Sequence, residues 1–390
     1  MAEYTLKVRR FKPEPGKGPY WEEFKVELDP TLSVLDGLLQ AKDRDDGSLA
    51  VRCSCRAAIC GSCGVRINGQ STLACKTQLG EALDYAERHS VGAQEGGDET
   101  TNGATRIVVE PMGNMPVIKD LVTDMESTHW TKIRRVTPWL LPEGEAPERE
   151  YVVSPESMID VTQSMACIQC GACVSSCLSM EADPDFIGPA ALAKAYRFVG
   201  DPRDAETVER LHDLSQDPHG IYDCTHCFSC IDACPKGVAP MDQIMRLRRA
   251  AGDEHGIVDV NHGHNHELAF SKIIEKKGTL DEAALLQESY APGIKGKLMP
   301  RHGAIKGLLG SIPTAIRGLR TGKMRSLRKL IPGVHHKLPG DAQEHVRRIY
   351  AHTEDHQIEL NLYIKGEGGD EEAPEADVEP EPDQSPGLGS

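Results

Sequence analysis

Thirteen cysteines in a 390-residue chain carry the chemistry this sequence can do, and they occupy three islands. The first, RCSCRAAICGSCG with one follower, holds Cys53, Cys55, Cys60, Cys63 and Cys75. CIQCGACVSSC holds Cys167, Cys170, Cys173 and Cys177, and CTHCFSCIDACP holds Cys224, Cys227, Cys230 and Cys234. Cysteines used for core packing would scatter; these leave the rest of the chain bare. Cys55-x4-Cys60-x2-Cys63 followed by Cys75 is the plant-type [2Fe–2S] spacing. In it a short loop carries three thiolates around a bridged pair of irons, and a following strand or turn supplies the fourth. Ala57, Ala58, Gly61, Ser62 and Gly64 are small enough for backbone N–H groups to approach the sulfides. Cys53 has the wrong spacing and is expected to be a bystander thiol.

Both later islands read Cys-x2-Cys-x2-Cys-x3-Cys, the bacterial ferredoxin run, in which the fourth cysteine ligates the other cluster. Cys167, Cys170 and Cys173 are therefore expected to hold one [4Fe–4S] cluster with Cys234. Cys224, Cys227 and Cys230 are expected to hold a second with Cys177. Pro235 follows Cys234 as the pattern requires, whereas Leu178 follows Cys177. Structural zinc prefers two separated cysteine pairs and fits three-plus-one runs poorly. The start, MAEYTLKVRR, lacks the apolar stretch of an export signal, so a reducing compartment is expected, where clustered cysteines bind metal rather than pair.

The elements that must position these thiols give an α+β fold. Residues 4–10 and 21–28 alternate apolar and polar and form a hairpin. LSVLDGLLQAKDRDDG carries a helical stripe (Leu32, Leu35, Leu38, Leu39) ending near Gly47, Asn68-Gly69 marks a hairpin turn, and residues 105–112 form a further strand. Two hairpins flanking one helix suggest a β-grasp ferredoxin domain over 1–136, with a solvated loop at 88–103. Residues 137–150 are a Pro/Glu-rich linker, and 151–255 an all-α domain built on the two later islands. A cysteine-free helical extension follows over 256–365. Within it His262, His264 and His266 are expected on a solvated loop. Residues 291–350 hold thirteen Lys/Arg against two Asp/Glu, either a solvated helical face or a surface that docks on an anionic membrane or partner. The last 25 residues hold nine acidic and no basic side chains, so 366–390 is expected to be disordered.

The formal charge of −16 argues against a nucleic-acid partner. No run of about 18 apolar residues spans a membrane. Nucleophile-elbow, Rossmann and P-loop glycine motifs are all missing from the sequence, so no catalytic residue is assigned.

The order plant-type ferredoxin, linker, two-cluster ferredoxin resembles the iron–sulfur subunits of succinate dehydrogenase and fumarate reductase. So do LSVLDGLLQAKD, SCRAAICGSCG, GQSTLACKT and, most specifically, MPVIKDLVTDM at 115–125; the resemblance covers residues 4–250. It implies an electron-transfer subunit whose [2Fe–2S] centre, on Cys55, Cys60, Cys63 and Cys75, lies nearest an FAD-bearing flavoprotein subunit. It also implies that electrons leave towards quinone at membrane anchor subunits, with this chain peripheral on the cytoplasmic face of the membrane. The family commonly has another residue at the position of Cys227 and a [3Fe–4S] cluster held by the residues matching Cys177, Cys224 and Cys230. Here Cys227 completes a second [4Fe–4S] set. A proline and two tryptophans usually follow the position of Cys177, where this chain has LSMEAD. Both departures are similar to a subgroup with two cubane clusters and heterodisulfide-reductase-like anchors.

Overall fold

The computed structural model describes residues 2–14, 16, 18–89, 106–144, 147–281, 284–285, 288–289, 316, 320, 338 and 340–355. The expected hairpin forms from β1 (Ala2–Arg10) and β2 (Tyr20–Leu28), with Leu6 opposite Phe24 and Tyr4 opposite Val26. Their period-two alternation buries Tyr4, Leu6, Val8, Phe24 and Val26 on one face. The second hairpin is β3 (Gly64–Ile67) and β4 (Gln70–Leu73), joined by Asn68 and Gly69 at φ +51° and +82°, the pairing an Asn-Gly turn favours. Between the hairpins lies β5 (Arg106–Glu110), parallel to β1 and antiparallel to β3, giving the order β2-β1-β5-β3-β4.

Helix α1 (Val34–Arg44) begins at a reciprocal cap in which Ser33 Oγ accepts from Asp36 N at 3.2 Å and Asp36 Oδ2 accepts from Ser33 N at 3.0 Å. Leu35 and Leu38 enter the core, but Leu32 precedes the cap and stays 39% exposed, so it does not belong to the stripe. A second helix, α2 (Leu79–Arg88), was not expected; Leu79, Ala82 and Ala86 bury its inner face. Asn68 ties it to the sheet, donating to Ala82 O at 2.7 Å and accepting from Val108 N at 2.9 Å. The 88–103 loop lies almost wholly outside the described residues.

The segment MPVIKDLVTDM forms a small hairpin, β6 (Val117–Lys119) and β7 (Val122–Thr123). Its Asp120 is fully buried against Arg10, whose Nε donates to Oδ1 at 2.9 Å. Asp120 also accepts from Phe11 N at 3.1 Å and Ala50 N at 2.8 Å, while Arg10 reaches Asp46, Ser48 and Glu22. One buried ion pair thus joins β1, the approach to the first cysteine loop and the hairpin after the sheet.

A second, helical layer packs beside the sheet. It comprises α3 (Thr131–Arg135), α4 (Pro155–Met165), α5 (Ala172–Ser175), α6 (Leu178–Ala182), α7 (Pro189–Val199), α8 (Thr207–Gln216), α9 (Ser229–Asp232) and α10 (Pro240–Arg249). Helix α7 starts on Pro189 and buries nearly its whole circumference against α4, α8 and α10. Met112, Met115, Ile133 and Val136, from the stretch after the sheet, sit in this helical core. The start of the linker is strapped to it: Arg210, paired with buried Asp204, donates to the carbonyls of Val136, Thr137 and Trp139.

Among the described residues, α11 (Gly263–Lys277) and α12 (Gly340–Asp355) follow. The histidine-rich stretch is therefore not a loop. His262 is the N-terminal boundary at φ +57°, and His264 and His266 lie in the first turns of α11. The missed signal is Asp259, whose carboxylate accepts from Gly263 N at 2.7 Å and His264 N at 3.2 Å. The three histidines do not converge: His264 faces Asp253, and His266 faces Ser289. Most of the basic stretch and all of 366–390 lie outside the described residues.

Replacing Asp120 with Ala leaves a buried guanidinium without its fully buried partner. The loss expected in chemical denaturation is about 3–5 kcal/mol, against under about 1 kcal/mol for Glu3→Ala at the exposed Lys25 pair.

Candidate metal centres

The first island lies between α1 and β3, and its backbone folds around sulfur. Cys55 Sγ accepts N–H groups from Ala57 at 3.4 Å, Ile59 at 3.4 Å and Cys60 at 3.2 Å, and Ala58 N donates to Cys75 Sγ at 3.3 Å. Arg56 and Ala58 adopt left-handed φ of 55° and 54°, which turns successive N–H groups toward one side. Ser62 Oγ lies 2.8 Å from Cys60 Sγ. That contact, with N–H groups from Cys55 and Ser62, draws the exposed Cys60 thiol down to about 6, whereas burial pushes Cys63 up to about 12. Cys53 is exposed and takes no part in these N–H···S contacts among the described residues.

Gly61 joins the first island to the second. It sits at φ +73°, and a Cβ there would fall 2.8 Å from Cys170 Cβ and 2.9 Å from its Cα, so the loop can lie on Cys170 only as glycine. Further seams are polar: Ser71 Oγ to Ser175 Oγ at 2.7 Å, Gly113 N to Ser175 Oγ at 2.8 Å, and Asn114 Nδ2 to the carbonyls of Val174 at 2.8 Å and Cys177 at 2.9 Å.

The two later islands adopt the same local path. Gln169 and His226 occupy matching positions at φ 57° and 55°, and Gly171 and Phe228 at φ 80° and 62°. Each run contains a one-turn helix that carries its third cysteine, Cys173 on α5 and Cys230 on α9. The thiols group across the runs. Burial raises Cys167, lifts Cys170 to about 11 and raises Cys173 well above the usual thiol range, and the repulsion that adds to burial comes from within Cys167, Cys170 and Cys234, plus Cys230 on Cys173. Burial likewise raises Cys177 and Cys224 and lifts Cys230 to about 12, with Cys177, Cys224 and Cys227 as the repelling neighbours. Cys227 goes the other way: burial opposes it, but hydrogen bonds from the Ser229 side chain and from the Ser229 and Leu178 backbone hold it below the usual thiol range. Ser179 Oγ bonds Thr225, fastening the segment after Cys177 to the one after Cys224.

The donor sets suit iron–sulfur clusters. Cys167, Cys170, Cys173 and Cys234 line one void together with His129 and Gln169. Both ring nitrogens of His129 and both amide atoms of Gln169 are buried without a hydrogen-bond partner. Burial holds His129 down to about 4, so it faces the void as neutral imidazole. Four sulfur ligands with orphaned polar groups around them match a group that accepts hydrogen bonds at its sulfides. Neither His129 nor Gln169 carries a spacing signal in the sequence.

A [2Fe–2S] unit fused through direct packing to a two-run helical unit defines an iron–sulfur electron-transfer protein. Residues 5–129 match the 2Fe-2S iron-sulfur cluster binding domain, and residues 163–238 the 4Fe-4S dicluster domain. The chain is 35% identical over 246 residues to the succinate dehydrogenase iron-sulfur subunit of Coxiella burnetii, covering 63% of this chain and 95% of that one. It is 38% identical over 253 residues to the fumarate reductase iron-sulfur subunit of Mycobacterium tuberculosis, covering 64% and 94%. A chain of the Mycobacterium smegmatis Sdh1 complex in the apo form shares the fold, with a TM-score of 0.53 and 24% identity over 65% of this chain and 96% of that one. The chain belongs to the iron–sulfur subunit family of succinate dehydrogenases and fumarate reductases, and is an electron-transfer subunit with [2Fe–2S] and [4Fe–4S] groups.

The thiol environments predict an order of reactivity. In chelator-stripped chain at pH 7, iodoacetamide labels Cys60 ahead of Cys63 by more than about a hundredfold, because a thiol at about 6 is mostly thiolate and one near 12 is not. Peptide mapping by mass spectrometry checks the order; comparable rates for Cys60 and Cys63 would refute it.

Proposed function

We propose that this chain relays electrons through three clusters, from an FAD-bearing flavoprotein subunit that oxidises succinate to quinone at a membrane anchor. Cys55, Cys60, Cys63 and Cys75 hold the [2Fe–2S] group in a β-grasp domain spanning 1–136. Across the 137–150 linker, residues 151–255 hold two [4Fe–4S] groups, one on Cys167, Cys170, Cys173 and Cys234, the other on Cys177, Cys224, Cys227 and Cys230. Bound, each cluster accepts and passes on one electron. Residues 256–365 form an extension and 366–390 an acidic tail.

Contiguity of the thiol sets carries this reading. Gly61 of the first loop rests on Cys170, and Cys173 lies near enough to Cys230 for their charges to repel. The Cys227 thiol, lowered by the Ser229 contacts, supports four sulfur ligands at the last site rather than three. At that end Leu178 and Phe228, the residues after Cys177 and Cys227, are 53% and 55% exposed. Apolar side chains at the rim of a ligand loop suit a covering partner. No helix among the described residues is long and apolar enough to cross a membrane, so anchoring falls to other subunits, and we place the chain on the cytoplasmic face.

Anaerobically purified protein is expected to carry about ten irons per chain and to co-purify with a flavoprotein giving succinate-dependent dye reduction. Cys227→Ser should convert or destabilise the last cluster while leaving the [2Fe–2S] electron paramagnetic resonance (EPR) signal. A [3Fe–4S]-type signal in fresh, oxidised wild-type protein would remove the second [4Fe–4S] group. A lone chain without flavoprotein would remove the relay.

A further inference from the structure

Relatives matched over 94–95% of their own length take up only 63–64% of this chain, and the sequence after α10 lies beyond both family-model matches. The described part of that sequence is docked against the third cysteine island. Gln216 Nε2 donates to Val258 O at 2.7 Å, and Asn261 Nδ2 to Pro218 O at 2.6 Å. Gly263 lies so close on the Tyr222 ring that a Cβ would fall 2.3 Å from it. With Asp259 capping the helix, these contacts fix the first turns of α11 over residues 216–224, the approach to Cys224.

What α11 delivers there is a carboxylate. Arg248 of α10 is 3% exposed. Its Nε donates to Ile221 O at 2.8 Å and its Nη2 to Cys224 O at 2.9 Å, its plane lies 5.1 Å from the Tyr222 ring centroid, and its Nη1 meets Glu267 and His226. A guanidinium stays charged throughout the physiological range, and buried without an anion it would be strongly unfavourable. Glu267 is that anion.

We infer that Arg248 and Glu267 form an opposed charge pair that sets the reduction potential of the cluster on Cys177, Cys224, Cys227 and Cys230, giving the extension a tuning role. The inference rests on the three-cluster reading. Reduction adds one negative charge at the cluster. A cation hydrogen-bonded to the Cys224 carbonyl stabilises that charge, and a carboxylate beside it opposes it; Arg248 is buried, whereas Glu267 is partly open to solvent, which moderates its effect. Both act through position; neither touches substrate.

The test is EPR-monitored redox titration of the full-length, anaerobically purified protein with whatever subunits it retains, at one constant pH for every variant. Glu267→Gln keeps a polar partner for Arg248 and is expected to raise the potential of this cluster. Arg248→Gln is expected to lower it. Each should change the ratio of reduced to oxidised cluster at fixed potential by up to about tenfold, equivalent to about 59 mV for one electron. Glu267→Asp should titrate like wild type, and the [2Fe–2S] midpoint should not move in any variant. A merely structural role would shift both charge-removing variants in one direction or lose the cluster from both. Either result, or an unmoved midpoint in Glu267→Gln, overturns the inference; if Arg248→Gln does not assemble, Glu267→Gln decides alone. Absence of this cluster from wild type would remove the three-cluster reading itself, whereas a wild-type signal whose midpoint ignores Glu267→Gln removes only the tuning.

Discussion

The fourth thiol of each ferredoxin run sits with the three of the other run, and the helical layer is arranged around that exchange. Cys177 keeps company with Cys224, Cys227 and Cys230, while Cys234 closes on Cys167 and Cys170. Runs that begin 57 residues apart in sequence must therefore interlock (Cys167 to Cys224). The chain between them, α6 to α8, has to leave and return. Helix α7 is the element that makes the return possible: it is buried on nearly all sides and packs on α10, which follows the second run directly. Hydrogen bonds such as Ser179 to Thr225 then close the seam.

The same exchange makes metal and fold inseparable. Helices α5 and α9 are four residues long, too short to persist without tertiary support. Around them lie thiols whose burial favours the protonated form, with Cys173 and Cys230 the most pronounced. Cluster ligands must be thiolates, so loading this layer expels protons from sites that resist losing them, and affinity for the cluster becomes stabilisation of the fold. The first island is arranged otherwise. Cys55 and Cys60 are exposed and already surrounded by N–H and hydroxyl donors, a loop poised for thiolate within a sheet whose own core is aliphatic.

Much of this was readable from residue spacing. The cysteine patterns separate into the three groups that the structure brings together, and the period-two and Asn-Gly signals place β1 to β4 correctly, because both are local and repeat at fixed intervals. The failures have the opposite character. Helix α2 escaped notice because its inner face is built of Leu79 and two alanines, a weak stripe. The histidine-rich segment looks like loop by composition, yet Asp259 caps it and Tyr222 receives its glycine. Arg10–Asp120 and Arg248–Glu267 join residues 110 and 19 positions apart, and nothing in either residue's neighbours marks it as a partner. His129 and Gln169 are invisible for the same reason: their role appears only once the four sulfurs around them are placed.

The resemblance motif MPVIKDLVTDM gains a physical meaning from this geometry. Asp120 at its centre locks the segment to β1, while Met115 and Met125 at its ends reach Gly171, whose absent Cβ would lie 2.8 Å and 3.3 Å from their methyl carbons. The first run is thus roofed by flexible thioether side chains, and its left-handed position must be glycine. The second run repeats that backbone with Phe228 at φ 62°, a conformation that costs a side-chain-bearing residue roughly 1–3 kcal/mol. No roof covers it among the described residues, and the ring is 55% exposed. One duplicated path therefore has two fates. The first copy is covered by Met115 and Met125. Its twin holds an aromatic ring outward at the rim of the last cysteine set, while its carbonyl opens α9 by accepting from Ile231 N at 2.8 Å.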